Sequence, residues 1–356
     1  MADVDENTVV IGRTTDAGPT GLLGRYRARD GSEGAPVAVD LDRPHVGLVV
    51  GKRGSGKSYT LGVLAEALAR ADGVTPVVVD PMGAFRGLDG AGLTTVEEPR
   101  VPATAVEPRA WCDLLGLDPA SGAGALLWQA ADARETVAGM REYVADADVP
   151  AATRRATANH LRLAASWNVF GEGFAASDLD GGAVLDLTGV RRAPANAVVA
   201  AVADALYDAR TAGRLDSLPW LLVDEAHAFD GVAARPLRRL LTRGRQPGVG
   251  TVAATQRPSA LPEAGISQAD LLVTHRLTSR ADREALAAAR PSYMAASFDD
   301  RMPTGTGEAL VVDDATESVH ALRVRERRTP HGGASPRASA ARGRAANSAS
   351  VSETVE

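Results

Sequence analysis

Short apolar runs, each closed by glycine, proline or aspartate, alternate along most of the chain with stretches of helical period. The run "HVGLVV" (His45–Val50) is continuous and lies between Pro44 and Gly51, as a strand buried on both faces requires. Behind it Leu61, Leu64, Ala65 and Leu68 recur at helical spacing, and "VTPVVVDP" (Val74–Pro81) reads as a second buried strand. Strand runs resume at Gly182–Val190, Pro219–Phe229, Gly248–Pro258, Asp270–Leu277, Gly307–Asp314 and Val319–Glu326. Helices are predicted over Pro194–Ala209, with the proline tolerated in the first turn, and over the arginine-laden Val232–Arg243. Between 99 and 175 the pattern changes: "WCDLLGL", "GALLWQAADARETVAGMREYVADA" and "TRRATANHLRLAASWNVF" are helical, without strand runs. The expectation is an α/β protein with a mainly parallel sheet flanked by helices, plus an all-helical insertion. Residues 1–43 form a short N-terminal β segment built on "TVVIG" and "APVAVDL". The core spans 44–98 and 176–326, the insertion 99–175, and an Ala/Ser/Arg/Gly-rich, disordered basic tail 327–356.

Composition narrows the classes. With 356 residues, 45% apolar and 24% charged, the chain can bury a sizeable core. Its single cysteine, Cys112, excludes an intrachain disulfide and suits a reducing interior. The acidic start "MADVDENT" is unlike a secretory leader, and no apolar run approaches the roughly 20 residues that span a bilayer. A cytoplasmic protein without membrane contact is expected. The formal net charge is −6, yet Arg323–Arg344 holds seven arginines against one glutamate, so an acidic body carries a basic tail. That distribution excludes coating nucleic acid with the whole surface but permits a local basic channel. Arg235, Arg238, Arg239 and Arg243 form one basic cluster; Arg154, Arg155 and Arg162 form another; "RVRERR" and the tail form a third. Each reads either as a set of phosphate contacts or as a solvated face with salt bridges. Zinc-ligand spacing and aromatic stacking patterns are missing, so sequence-specific reading of DNA is not expected.

The chemistry concentrates in "GKRGSGKSYT". Of the 39 cationic side chains only Lys52 and Lys57 are lysine, and both lie in this stretch. Gly51, Gly56, Lys57 and Ser58 satisfy G-x-x-x-x-G-K-[ST] between an apolar strand and an amphipathic helix, with Gly54 and Ser55 helping the turn. Such a loop points successive N–H groups at phosphates, and the helix N-terminus adds its dipole. Arg53 and Tyr59 complete the expected nucleotide-binding set. Lys57 supplies a compact ammonium beside the β- and γ-phosphates, where a guanidinium fork is too broad; Lys52 has no comparable reason to be lysine. ATP is the expected nucleotide, and the Ser58 hydroxyl would serve Mg²⁺. In "LLVDEAHAF", Asp224 and Glu225 end an apolar strand, so their side chains diverge. Asp224 would hold Mg²⁺ through a water, and Glu225 would orient and polarise the attacking water. The letters DEAH also occur in RNA helicases, but no second lobe follows, so His227 reads as a neighbour of the site. Gln256, at the tip of "TVAATQRP", is either a γ-phosphate sensor or part of a turn closed by Pro258.

In order, "GKRGSGKSYTLGVLAE", "LLVDEAHAF", "LTRGRQPGVGTVAATQRPSALP", "ISQADLLVTHRLTSRADREAL" and "TGEALVV" resemble the HerA/FtsK superfamily of P-loop ATPases, with the archaeal HerA type nearest. The likeness runs from about His45 to about Val312, most of the helical insertion excluded. It implies a RecA-like core, a homo-hexameric ring and ATP-driven movement of double-stranded DNA through the pore. It also implies that Arg245 acts as an arginine finger toward a neighbouring subunit's γ-phosphate, with Arg276 and Arg280 as interface contacts. HerA proteins begin with a β-barrel that docks partners such as a nuclease; here about forty residues precede the core strand, so a reduced segment is expected. Two other readings remain open: a conjugation- or secretion-type ATPase acting on protein–DNA complexes, and, from a different class, a slow ATP-binding switch that serves as a regulator or scaffold.

Overall fold

The computed structural model describes residues 7–13, 18–28, 30–173, 179, 181–261, 263–288 and 302–333. Its centre is a twelve-stranded sheet. Seven parallel strands make one side: in spatial order β10 (Leu271–Thr274), β4 (Val46–Val50), β9 (Gly250–Thr255), β8 (Leu218–Val223), β5 (Val74–Asp80), β7 (Ala183–Asp186) and β6 (Thr94–Val96). On the other side β11 (Glu308–Asp313) and β12 (Ser318–Val324) run antiparallel from β10. Beyond them lie β2 (Thr20–Arg27), β3 (Glu33–Asp40) and β1 (Val9–Ile11), so the N-terminal segment extends the sheet.

Strand parity divides the core. Leu48, Val50, Val77, Val79, Leu221 and Val223 face one side, where α6 (Arg192–Thr211) and α7 (Ala234–Arg243) pack. Val49, Val78 and Leu222 face the other, beside α1 (Lys57–Leu68). That alternation is the period of a strand covered on both faces. The insertion is helical as expected: α2 (Ala110–Leu115), α3 (Gly122–Ala133), α4 (Val137–Asp146) and α5 (Ala151–Ser166). It encloses its own core of Trp111, Leu127, Met140, Val144 and Leu161. Ser121 and Thr136 cap α3 and α4 by accepting the N–H groups of Gly124 and Gly139. Two further helices, α8 (Glu263–Ser267) and α9 (Arg280–Ala288), flank β10 in sequence.

Three expectations need correction. Strands β2 and β6 lie outside the predicted runs; β2 is interrupted by Gly24 and arginines, and β6 is only three residues long. The strand expected through Phe229 stops at Val223, because Glu225 takes a left-handed conformation (φ 49°) and a short 3₁₀ turn over Ala226–Ala228 follows. Residues 327–333, assigned to a disordered tail, are packed on α1: Arg327 and Thr329 are buried, and the Arg327 N–H donates to the Tyr59 hydroxyl (2.6 Å). The rest of the predicted tail lies outside the described residues.

Candidate nucleotide site

The loop between β4 and α1 sits at the carboxyl edge of the parallel strands. Gly54 and Gly56 take φ values of 74° and 118°, which a side chain would strain. Among the described residues, the N–H groups of Arg53, Gly54, Gly56, Lys57 and Ser58 have no protein acceptor. They form a concave set of donors at the head of α1, which fits an anion. The loop is pinned from behind. The Lys52 N–H donates to the Arg276 carbonyl (2.8 Å), and the Gly307 N–H donates to the Ser55 carbonyl (3.2 Å). His275 lies between Thr60 Oγ1 (2.9 Å from Nε2) and the Glu308 carbonyl (2.7 Å from Nδ1). The carbonyl can only accept, so Nδ1 carries the proton and Nε2 accepts from Thr60. Burial pushes the His275 pKa down to about 4, which keeps the ring neutral.

Lys57 is buried, and its Nζ donates to the Lys52 carbonyl (3.2 Å). Burial pulls its pKa down, opposed by the charges of Glu225 and Asp224. Ser58 Oγ donates to Asp224 Oδ2 (2.8 Å). Parity explains the meeting: Asp224 follows Val223 on the side that Leu222 shares with α1. Burial, with the Glu225 charge adding, raises the Asp224 pKa to about 6 against the Ser58 hydrogen bond. A buried hydroxyl–carboxylate pair whose charge is so poorly compensated fits a hard divalent cation. Glu225, turned by its left-handed backbone, faces the tip of β9, where Gln256 Nε2 donates to its Oε2 (3.4 Å). Because β9 lies between β4 and β8, Gln256 stands between the phosphate loop and the acid pair. Lys52, Arg53, Gln256 and Arg257 line an adjoining cavity of about 180 Å³.

The structure thus gathers the loop residues 51–58, Asp224, Glu225 and Gln256, and leaves Arg245 and Tyr59 apart; Tyr59 meets the returning C-terminal segment, its hydroxyl accepting the Arg327 N–H and its ring edge-on to His331 (5.3 Å between centroids). Arg245 precedes β9, at the opposite edge of the sheet, and donates to Asp270 Oδ2 (2.9 Å), an oxygen 3.1 Å from the buried His45 Nδ1. Arg276 lies against the Thr304 carbonyl (3.5 Å) and Arg280 against Glu284 (2.7 Å). The basic clusters are partly consumed. Arg239 donates to Asp204 (2.7 Å) and Asp208 (3.2 Å) on α6 and lies over the Tyr207 ring; Arg235 meets Glu107. Arg325 and Arg327 are committed to the buried Glu66. Sequence reasoning missed His275 and Thr255, and it gave His227 no role. His275 carried a usable signal, a lone histidine ending an apolar strand.

Residues 23–169 match the family described as Helicase HerA, central domain. Over 109 residues the chain is 30% identical to the DNA double-strand break repair helicase HerA of Pyrococcus furiosus, a stretch amounting to 29% of this chain and 20% of that protein. The chain therefore spans about a fifth of that relative's length. Among solved structures, VirB4 of Thermoanaerobacter pseudethanolicus superposes with a TM-score of 0.64 at 17% identity, over 88% of this chain and 98% of that one. The bacterial conjugative coupling protein TrwBΔN70 superposes with a TM-score of 0.58 at 17% identity, over 89% and 91%. At these identities the likeness to VirB4 and TrwB is one of fold.

Proposed function

We propose that this chain, a member of the HerA/FtsK superfamily of P-loop ATPases, couples Mg²⁺-dependent ATP hydrolysis to translocation or remodelling of double-stranded DNA as a homo-hexameric motor. One observation carries the hydrolytic part: Lys57, the Ser58–Asp224 pair and the Glu225–Gln256 pair converge on one loop of unpartnered N–H groups. In this reading the N–H groups of Arg53, Gly54, Gly56, Lys57 and Ser58 at the helix head bind the phosphates, and Lys57 Nζ moves from the Lys52 carbonyl to the β- and γ-oxygens. Ser58, and Asp224 through a water, would hold Mg²⁺, which would neutralise phosphate charge. Glu225 orients a water and accepts its proton as oxygen attacks the γ-phosphorus in line with the departing β-phosphate. The Gln256 amide bonds the γ-phosphate and is released when that group leaves, so hydrolysis is reported to the β9 tip.

The DNA cargo is supported by the HerA match, a helicase of DNA double-strand break repair. The ring gives Arg245 its role. At the far edge of its own sheet it serves only a neighbouring subunit, where a finger contributes about 10³–10⁵-fold to turnover. The test is the ATPase rate of the full chain with and without saturating duplex DNA, with molecular mass by light scattering in both conditions. DNA stimulation together with a hexameric mass is expected. A monomer with DNA-independent turnover would leave only the slow nucleotide switch. Mixing Arg245→Ala with Lys57→Ala subunits should restore part of the hydrolysis each lacks alone.

A further inference from the structure

We propose that His227 is a positioning residue for Glu225: its Nδ1 alternates between the Glu225 carboxylate and the Thr255 hydroxyl, tying the placement of the base to the strand tip that carries Gln256. The inference rests on Glu225 being the base. His227 Nδ1 lies 3.3 Å from Glu225 Oε2 and 3.2 Å from Thr255 Oγ1. A neutral ring nitrogen is a donor or an acceptor and never both. With its proton on Nδ1, the ring donates to the carboxylate. With the proton on Nε2, Nδ1 accepts from Thr255 and turns a lone pair toward the carboxylate, which repels it. Thr255 Oγ1 already accepts the Arg257 N–H (3.0 Å), so its own proton is free to donate to His227.

Glu225 Oε2 therefore has two potential donors, the Gln256 amide at 3.4 Å and His227. When the γ-phosphate draws the amide away, His227 is the donor that remains. It keeps Oε2 tethered and leaves Oε1 for the water. The tether matters because the left-handed backbone of Glu225 (φ 49°) is a strained conformation for a residue with a side chain. The groups that set the charge of His227 are Glu225, Arg257 and Lys57; Asp230 and Arg238 share one cavity wall with it, and Arg192 shares another. Burial lowers its pKa, with the charges of Arg257 and Lys57 adding and Glu225 opposing, so the neutral ring and its choice of tautomer govern the device.

Full-chain His227→Ala, His227→Gln, His227→Asn and Glu225→Gln proteins test this, with kcat and KM for ATP, nucleotide affinity and thermal midpoint measured for each. Asparagine places an amide nitrogen near the position of Nδ1, and glutamine places one near Nε2. We expect kcat to fall about 10²-fold in the Ala and Gln variants, the cost of misplacing a reacting group by about 1 Å. KM and affinity stay unchanged, and Asn recovers most of the loss. Wild-type kcat in His227→Ala, or equal losses in Asn and Ala, overturns the inference. Near-normal turnover in Glu225→Gln removes the base itself and the inference with it. A dead Glu225→Gln beside an unaffected His227→Ala removes only the role of His227.

Discussion

Helix α1 carries two buried charges, Lys57 and Glu66, about two and a half turns apart, and the chain treats them in opposite ways. Glu66 is fully buried and saturated. It accepts from Arg325 Nη1 (2.7 Å), the Arg328 N–H (3.0 Å), the Thr329 N–H (2.9 Å) and the Thr329 hydroxyl (2.7 Å), with Arg327 Nε at 3.7 Å. Burial pushes its pKa up, but these partners win and hold it below the usual carboxylate range. A glycine makes room for the clasp: a β-carbon at Gly62 would stand 2.7 Å from Arg327 Cζ. Lys57 has one carbonyl partner and a depressed pKa, and its neighbour Asp224 has a raised one. A buried charge with its full complement of partners holds structure together; one left short is completed by a ligand.

The largest effects belong to the under-partnered end. Lys57→Ala should abolish nucleotide binding, read by fluorescent-nucleotide titration. Glu225→Gln should bind ATP yet lose about 10²–10⁴-fold in phosphate release at saturating ATP. The reverse holds for stability. Glu66→Ala should cost about 3–5 kcal/mol in urea unfolding, because Arg327 would be left buried without its anion, whereas Lys57→Ala should leave the nucleotide-free protein no less stable. Equal destabilisation by the two substitutions would break the distinction.

The two carboxylates should also respond to pH with opposite sign. The folded pKa of Asp224 is raised from 3.8 to about 6. Its contribution is therefore fully present below about pH 4 and lost as pH rises through about 6, worth about 3 kcal/mol at most. Glu66 has a lowered folded pKa, so its contribution is present above its unfolded value of 4.5 and lost as pH falls through the folded one. Urea midpoints of nucleotide-free protein between pH 4 and 7 should thus lose the Asp224 component on going up, and Asp224→Asn should flatten it. The smallest effect sharpens the picture: Thr329→Val removes one donor of several from Glu66 and should cost only about 1 kcal/mol.

Much of the candidate site was legible because its parts are local or periodic. The glycine spacing of the loop, the lysine and the start of the helix that follows lie within ten consecutive residues. Strand parity carries Asp224 to the side of Leu222 and α1, but Glu225 diverges for another reason: the chain leaves the strand at Val223 and turns through a left-handed residue. The arginine clusters were the least legible, because a run of like charges does not reveal its counter-ions. Arg239 is claimed by Asp204 and Asp208 from another helix, and Arg325 by a glutamate 259 residues away.

The sequence by itself determined the α/β class, the parallel core strands, the helical insertion and the phosphate loop, because each depends on spacing along one short segment. Only the tertiary structure decided that the residues after β12 return to clasp Glu66, that His275 braces the loop through Thr60, that His227 stands between Glu225 and Thr255, and that Arg245 lies at the far edge against Asp270. Those arrangements depend on which segments meet across the sheet. Buried polar groups take whatever partners the packing brings, and no local pattern in the chain records that meeting.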